Sequence, residues 1–180
     1  MDATQIYRYL PLAIDDGLRE WLHRAVRTGT ASDLRLKLVG ALADFPFADA
    51  KKGTLQVDIK GQGVTLDYAD QWPPLAELEG EFRIDGPRLS VEARSGRVFT
   101  TAITHAKVGI ADLRTPGTVI QVKGDAAGPT SDFLRFVAES PVAEWTGHVT
   151  EGADVTGTGR LALKIELPLA KPSATHIDAA

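Results

Sequence analysis

Gly80-Glu81-Phe82-Arg83-Ile84-Asp85-Gly86-Pro87-Arg88-Leu89-Ser90-Val91-Glu92-Ala93 (residues 80–93) is the stretch that decides the fold. Phe82 and Ile84 alternate with Arg83 and Asp85, and Leu89 and Val91 alternate with Ser90 and Glu92. A period of two sends successive side chains to opposite faces, so each run reads as a strand with one apolar and one wet face. Asp85-Gly86-Pro87 between them is turn chemistry, with glycine free to adopt positive φ and proline unable to continue a ladder. The segment predicts an antiparallel hairpin whose apolar residues share one side.

The same period extends outward in both directions. Towards the N-terminus, Leu34, Leu36 and Leu38 alternate with Asp33, Arg35 and Lys37, and Leu55, Val57 and Ile59 alternate with Gln56, Asp58 and Lys60. Leu66 and Tyr68 flank Asp67. Towards the C-terminus come Ile103, Val108 and Ile110, then Ile120 and Val122 with Gln121 and Lys123. Leu161, Leu163, Ile165 and Leu167 close the series among Arg160, Lys164 and Glu166. Gly61-Gln62-Gly63, Ser95-Gly96, Thr115-Pro116-Gly117 and Gly124-Asp125 read as further turns, which together predict about nine or ten short strands in an antiparallel meander. Gly53–Tyr68, Gly80–Ala93 and Gly96–Leu113 each present paired strands about a glycine, a weak internal repetition.

Two segments change period. Asp15-Asp16 followed by Leu18, Trp21, Leu22, Ala25 and Val26 gives an amphipathic stripe, with Asp at its start and His23, Arg24 and Arg27 at its end. A helix is predicted over about 15–28, stopped by Gly29. A second is predicted over about 131–139, where Thr130 or Ser131 can cap and Phe133, Leu134, Phe136 and Val137 form the stripe before Pro141. Residues from Pro168 onward read as irregular. The expected organisation is a helical segment at 1–30, a β segment at 31–169 and a tail at 170–180.

Composition narrows the chemistry. The 180 residues are 43% hydrophobic and 24% charged, enough apolar matter for a core. A net charge of -4 without basic clusters argues against nucleic acid as a partner. There is no cysteine, hence no disulfide, thiolate ligand or thiol nucleophile. Asparagine is absent as well. The four histidines, His23, His105, His148 and His176, show no metal-ligand spacing, and no metal or other cofactor is expected. No serine-nucleophile elbow, phosphate loop or dinucleotide fingerprint occurs. Gly61-Gln62-Gly63 and Gly157-Thr158-Gly159 open no helix that could hold a phosphate. Asp67, Asp70, Glu77 and Glu79 surround Trp72 and invite comparison with a glycosidase pair, yet alternating charge on a wet sheet face accounts for them equally. The chain is therefore not expected to be an enzyme. Residues 1–5 have neither the basic start nor the apolar run of a signal peptide, and no stretch reaches the ~20 apolar residues that cross a bilayer.

Three segments carry a family resemblance. Tyr9-Leu10-Pro11 precedes the helix with Trp21-Leu22. Gly40-Ala41-Leu42-Ala43-Asp44-Phe45-Pro46-Phe47 precedes the strand from Gly53. Leu66-Asp67-Tyr68 leads to Trp72-Pro73, Leu75, Leu78, Gly80 and the strand with Phe82 and Ile84. With Asp112-Leu113, Gly124 and Phe133-Leu134 before Ser140-Pro141, this order resembles the central region of YhdP-like proteins of the AsmA-like group, over roughly Tyr9 to Leu169. The resemblance implies a fragment of a long periplasmic protein, anchored outside this stretch in the inner membrane of a diderm bacterium. It implies a mainly β, curved sheet forming a trough or taco-like half-barrel, and a role in moving phospholipid between inner and outer membranes. Expected partners are phospholipid acyl chains and neighbouring repeats of the same parent.

On that reading the groove-facing, lipid-binding residues are Leu34, Leu36, Leu38, Leu55, Val57, Ile59, Leu66, Phe82, Ile84, Leu89, Val91, Ile103, Val108, Ile110, Ile120 and Val122. Withdrawing a sixteen-carbon chain from a bilayer forfeits roughly 12 kcal/mol at ~0.8 kcal/mol per methylene, so only a continuous apolar strip can replace it. Nine or ten strands about 4.8 Å apart give a strip on the order of 45 Å. The opposing reading is a closed core, since one apolar face of an antiparallel sheet normally packs on a helix or second sheet. A non-catalytic structural or interaction scaffold in envelope biogenesis is the alternative function.

Overall fold

The computed structural model describes residues 1–9, 16–41, 47, 49, 51–113, 117–147, 152–153, 155–168 and 176–179. The predicted helix start at Asp15, motif residues 10–11 and 42–46, Thr115-Pro116, His148 and tail residues 169–175 and 180 lie outside them.

A short 3₁₀ helix, Ala3–Tyr9, precedes α1 (Asp16–Ala25). Six strands follow: β1 (Val26–Gly40), β2 (Gly53–Leu66), β3 (Leu75–Asp85), β4 (Arg88–Val98), β5 (Thr101–Ile110) and β6 (Val119–Pro129). Helices α2 (Thr130–Ala138) and α3 (Val142–Trp145) lead to β7 (Thr158–Pro168) and β8 (His176–Ala179). The strands stand in the sheet in chain order, each antiparallel to the next, and among the described residues β1 and β8 do not pair. The protein is mainly β, with an open sheet that is not closed into a barrel.

Among the described residues the sheet has eight strands, fewer and longer than the nine or ten predicted. Asp85-Gly86-Pro87 is the expected hairpin turn, with Gly86 at φ +55. Gly61-Gln62-Gly63, Ser95-Gly96 and Gly124-Asp125 are not turns; they lie inside β2, β4 and β6. Their glycines serve close approach and bulging instead of reversal. A Cβ on Gly96 would meet Leu78 at 2.5 Å, and one on Gly124 would meet Ala106 at 3.3 Å.

The first helix is shorter than predicted, ending at Ala25. Ala25 and Val26 fit both periods, but Val26 pairs with Leu66 and the Asp67 amide donates to the Ala25 carbonyl at 2.7 Å, so β2 claims them for the sheet. Gly29 is accordingly a strand residue at φ +123, with the Val64 backbone 2.7 Å from where its Cβ would stand. Neither Thr130 nor Ser131 caps α2 with its side chain; the N-cap position is Pro129. The tail is not wholly irregular, because His176–Ala179 pairs with Leu163–Glu166 as β8.

The register slips between Ser32 and Arg35 in β1, Gly61 and Val64 in β2, Ala76 and Glu79 in β3, and Thr104 and Lys107 in β5. Positive φ at Asp33, Gly63, Glu77 and His105 marks these places. A bulge bends its strand and increases local twist, so a line of bulges bends the sheet across its strands. Beside that line the apolar face carries only small residues. Gly61 faces Gly80, Gly80 faces Ala93, and Ala93 faces Ala106, whose neighbour is Gly124. At Gly80 a Cβ would lie 2.3 Å from the Glu92 carbonyl oxygen, a space that only glycine leaves empty.

The helices line one end of the strands. Trp21 of α1 donates its indole N–H to the Tyr68 carbonyl at 2.9 Å. From β6, α2 passes the β4–β5 turn, where Asp132 accepts from the Thr100 amide (2.9 Å) and hydroxyl (2.7 Å), and where the Arg135 guanidinium lies 3.9 Å from the Phe99 ring centroid. Phe136 and Trp145 then reach Trp72 in the β2–β3 connection, at ring-centroid distances of 5.7 and 6.0 Å. Trp72-Pro73 is thus a hub joining that connection to α2 and α3.

Candidate functional site: the inner apolar face

The register brings the predicted groove residues to one face. Leu36, Val57, Ile84, Leu89, Ile110 and Ile120 form one row across six strands, continued by Leu167 on β7. Ile59, Phe82, Val91, Val108 and Val122 form a second, continued by Ile165. Leu34 packs at its β1 end, and Leu38 faces Leu55 beside the first row. Leu66 pairs with Leu75 and Val26 beyond the β2 bulge, and Ile103 faces Ala126 beyond the β5 bulge. All sixteen predicted positions therefore share a side.

Their burial is uneven. Val57 is 1% exposed and Ile84 4%, and with Leu55, Ile59, Ala31 and Ala3 they make the core cluster. Ala3 and Ile6 of the 3₁₀ helix pack against this cluster, so the face is most deeply buried at β1–β3. Along β4 to β7 the equivalent residues Val91, Val108, Ile120, Val122, Leu163 and Ile165 are only half-buried, although Ile110 is buried. Leu36 is 45% exposed at the β1 edge. The face is more deeply buried around β2 than along β4 to β7.

The predicted groove-facing set leaves out two components of this face. Leu161, Leu163, Ile165 and Leu167 extend the apolar rows, and their strict alternation was a sufficient signal. The small-residue row had no signal in hydropathy, because Gly and Ala become a feature only when the register aligns them.

The opposite face is polar. Ion pairs cross between neighbouring strands: Arg27–Asp67 (2.7 Å), Lys60–Asp33 (2.8 Å), Arg94–Glu81 (2.9 Å), Arg97–Glu77 (2.7 Å), Lys107–Glu92 (3.1 Å), and Arg83 with Asp58. Exposed pairs of this kind stabilise little and mainly enforce register. The carboxylates around Trp72 are dispersed: Asp67 is held by Arg27, Glu77 by Arg97, and Asp70 is exposed in the connecting loop. Burial pushes the Tyr68 phenol well above its ordinary range. Among the described residues no group of His, Asp and Glu could hold a metal ion, and no helix is long and apolar enough to cross a membrane.

A protein-family model described as YhdP protein matches residues 1–180. No curated protein and no solved structure matches the chain.

Proposed function

This chain belongs to the YhdP family of bacterial envelope proteins, and from that premise we propose that it is one section of a periplasmic, bridge-like lipid conduit. In this reading phospholipid acyl chains lie against the inner apolar face while the ion-paired outer face meets water. The parent protein carries the membrane anchor and the neighbouring sections, and lipid passes between inner and outer membranes.

The observation that carries the reading is the pair of aliphatic rows running across the strands, half-buried from β4 to β7 on an unclosed sheet. Eight strands about 4.8 Å apart make a strip of about 34 Å, enough to oppose an extended acyl chain and too short to bridge two membranes. A scaffold reading is favoured by one feature, the packing of Ala3 and Ile6 against the core cluster at β1–β3.

Photocrosslinkers at Val122 and Ile120, with Gln121 as the outward control, separate the two readings. In protein purified from bacterial membranes, native mass spectrometry is expected to find phospholipid attached to the inward positions and absent at Gln121. Inward positions that capture nothing in a folded chain would overturn the conduit. Charge substitution gives a second readout, provided it avoids the deeply buried β1–β3 part. Ile84→Asp buries a carboxylate and unfolds the chain under either reading. Val122→Asp is expected to leave the urea midpoint nearly unchanged while abolishing lipid capture.

A further inference from the structure

We infer that the polar face carries a small-oxyanion site, of phosphate chemistry, centred on Lys123. The register sets Lys107, Lys123 and Lys164 directly opposite one another on β5, β6 and β7. Like charges facing across strands destabilise a sheet, and this row sets three lysines in succession next to the facing Glu81–Glu92 pair. The three lysines line a shallow depression with His105, Asp125 and Asp178. Of the four carboxylates around it, two are held by lysines of the row and two have only histidine neighbours. Glu92 is held by Lys107 at 3.1 Å, Glu166 by Lys164 at 3.3 Å, Asp125 lies 3.8 Å from His105, and Asp178 lies 3.2 Å from His176. Among the described residues Lys123 has no ion pair or side-chain hydrogen bond.

An uncompensated ammonium between two further lysines, each a strand spacing of about 4.8 Å away, can gather three charge-assisted donors on one oxyanion. The surrounding acids set the ligand's size. Glu92 and Asp178 end the lysine row on either side, while Glu166 and Asp125 bound it along the strands. An extended polyanion or a charged bilayer surface would meet those carboxylates, whereas a single phosphate group fits between them. The site is on the opposite face from the aliphatic rows, so it stands or falls independently of lipid conduction.

The test is an amide NMR titration of the 180-residue protein with inorganic phosphate at constant ionic strength, repeated with phosphatidylcholine vesicles lacking or containing phosphatidate. Phosphate is expected to shift signals around residues 107, 123 and 164 saturably, in the millimolar range. Lys123→Gln should weaken binding about tenfold, the loss of one charge-assisted hydrogen bond, while Lys60→Gln, which removes an ion-paired lysine, should not. Displacement of phosphate by phosphatidate vesicles alone would identify a lipid headgroup as the source, and no displacement a soluble phosphate. Shifts scattered over many lysines, equal weakening by both variants, or no shift in the row would overturn the site.

Discussion

Asp132 holds a turn to a helix through three acceptor contacts, from the Thr100 amide, the Thr100 hydroxyl and the Thr101 hydroxyl. The Thr100 side-chain bond, more than any other, holds its carboxyl below the usual carboxylate range. A carboxyl depressed in the folded state stabilises the fold above its unfolded pKa of about 3.9, and that stability is lost as pH falls through the folded value. The urea midpoint of the native chain should therefore drop below about pH 4, and Asp132→Asn should show a shallower acid limb across the same window. An acid limb of unchanged steepness would mean that the Asp132 contacts contribute nothing. This contact was not legible in the sequence. Ser131 and Thr130 looked like caps, and only the fold brings the β4–β5 turn to the first turn of α2. The shared side of the aliphatic residues was legible, since period two fixes the side of every Leu, Ile and Val once the register is known. Legibility failed at glycines, because Gly61, Gly96 and Gly124 write the same letter for a turn and for a close approach.

At the scale of an element, β3 shows what those glycines do. Its apolar side runs Leu78, Gly80, Phe82 and Ile84, with a bulge at Glu77 immediately before. Gly80 sits where the Glu92 carbonyl closes on the inner side, and the contact is backbone, which cannot swing aside. Gly80→Val is expected to cost about 1–3 kcal/mol by overpacking, read as a lowered urea midpoint. Gly63→Ala, where nothing lies within 4 Å, should cost only the strain of positive φ, about 1 kcal/mol. If the two variants are equally stable, the bend does not depend on the small-residue row. Helix and strand boundaries were less readable than element types for a related reason. Ala25 and Val26 satisfy both a helical stripe and an alternating strand, and only pairing with Leu66 and Asp67 decides between them.

At the scale of the whole molecule, each strand among the described residues pairs only with its neighbours in sequence, so stability is passed along a line instead of being shared around a centre. The deeply buried flank at β1–β3 should then be the most protected against hydrogen exchange and β8, four residues long, the least, with β5 to β7 between. Uniform protection across the sheet would contradict this arrangement. The meander and its one-sided face were readable because local alternation and short connections determine them. How far the face is covered was not readable, since Ala3 and Ile6 join a cluster whose strand members reach from Ala31 to Ile84. Chain-order stacking also separates two design variables. Bore is set by how long each plank is and where it creases, whereas reach is set by the number of planks. Duplicating any one hairpin would lengthen such a gutter by about 10 Å and leave its calibre untouched.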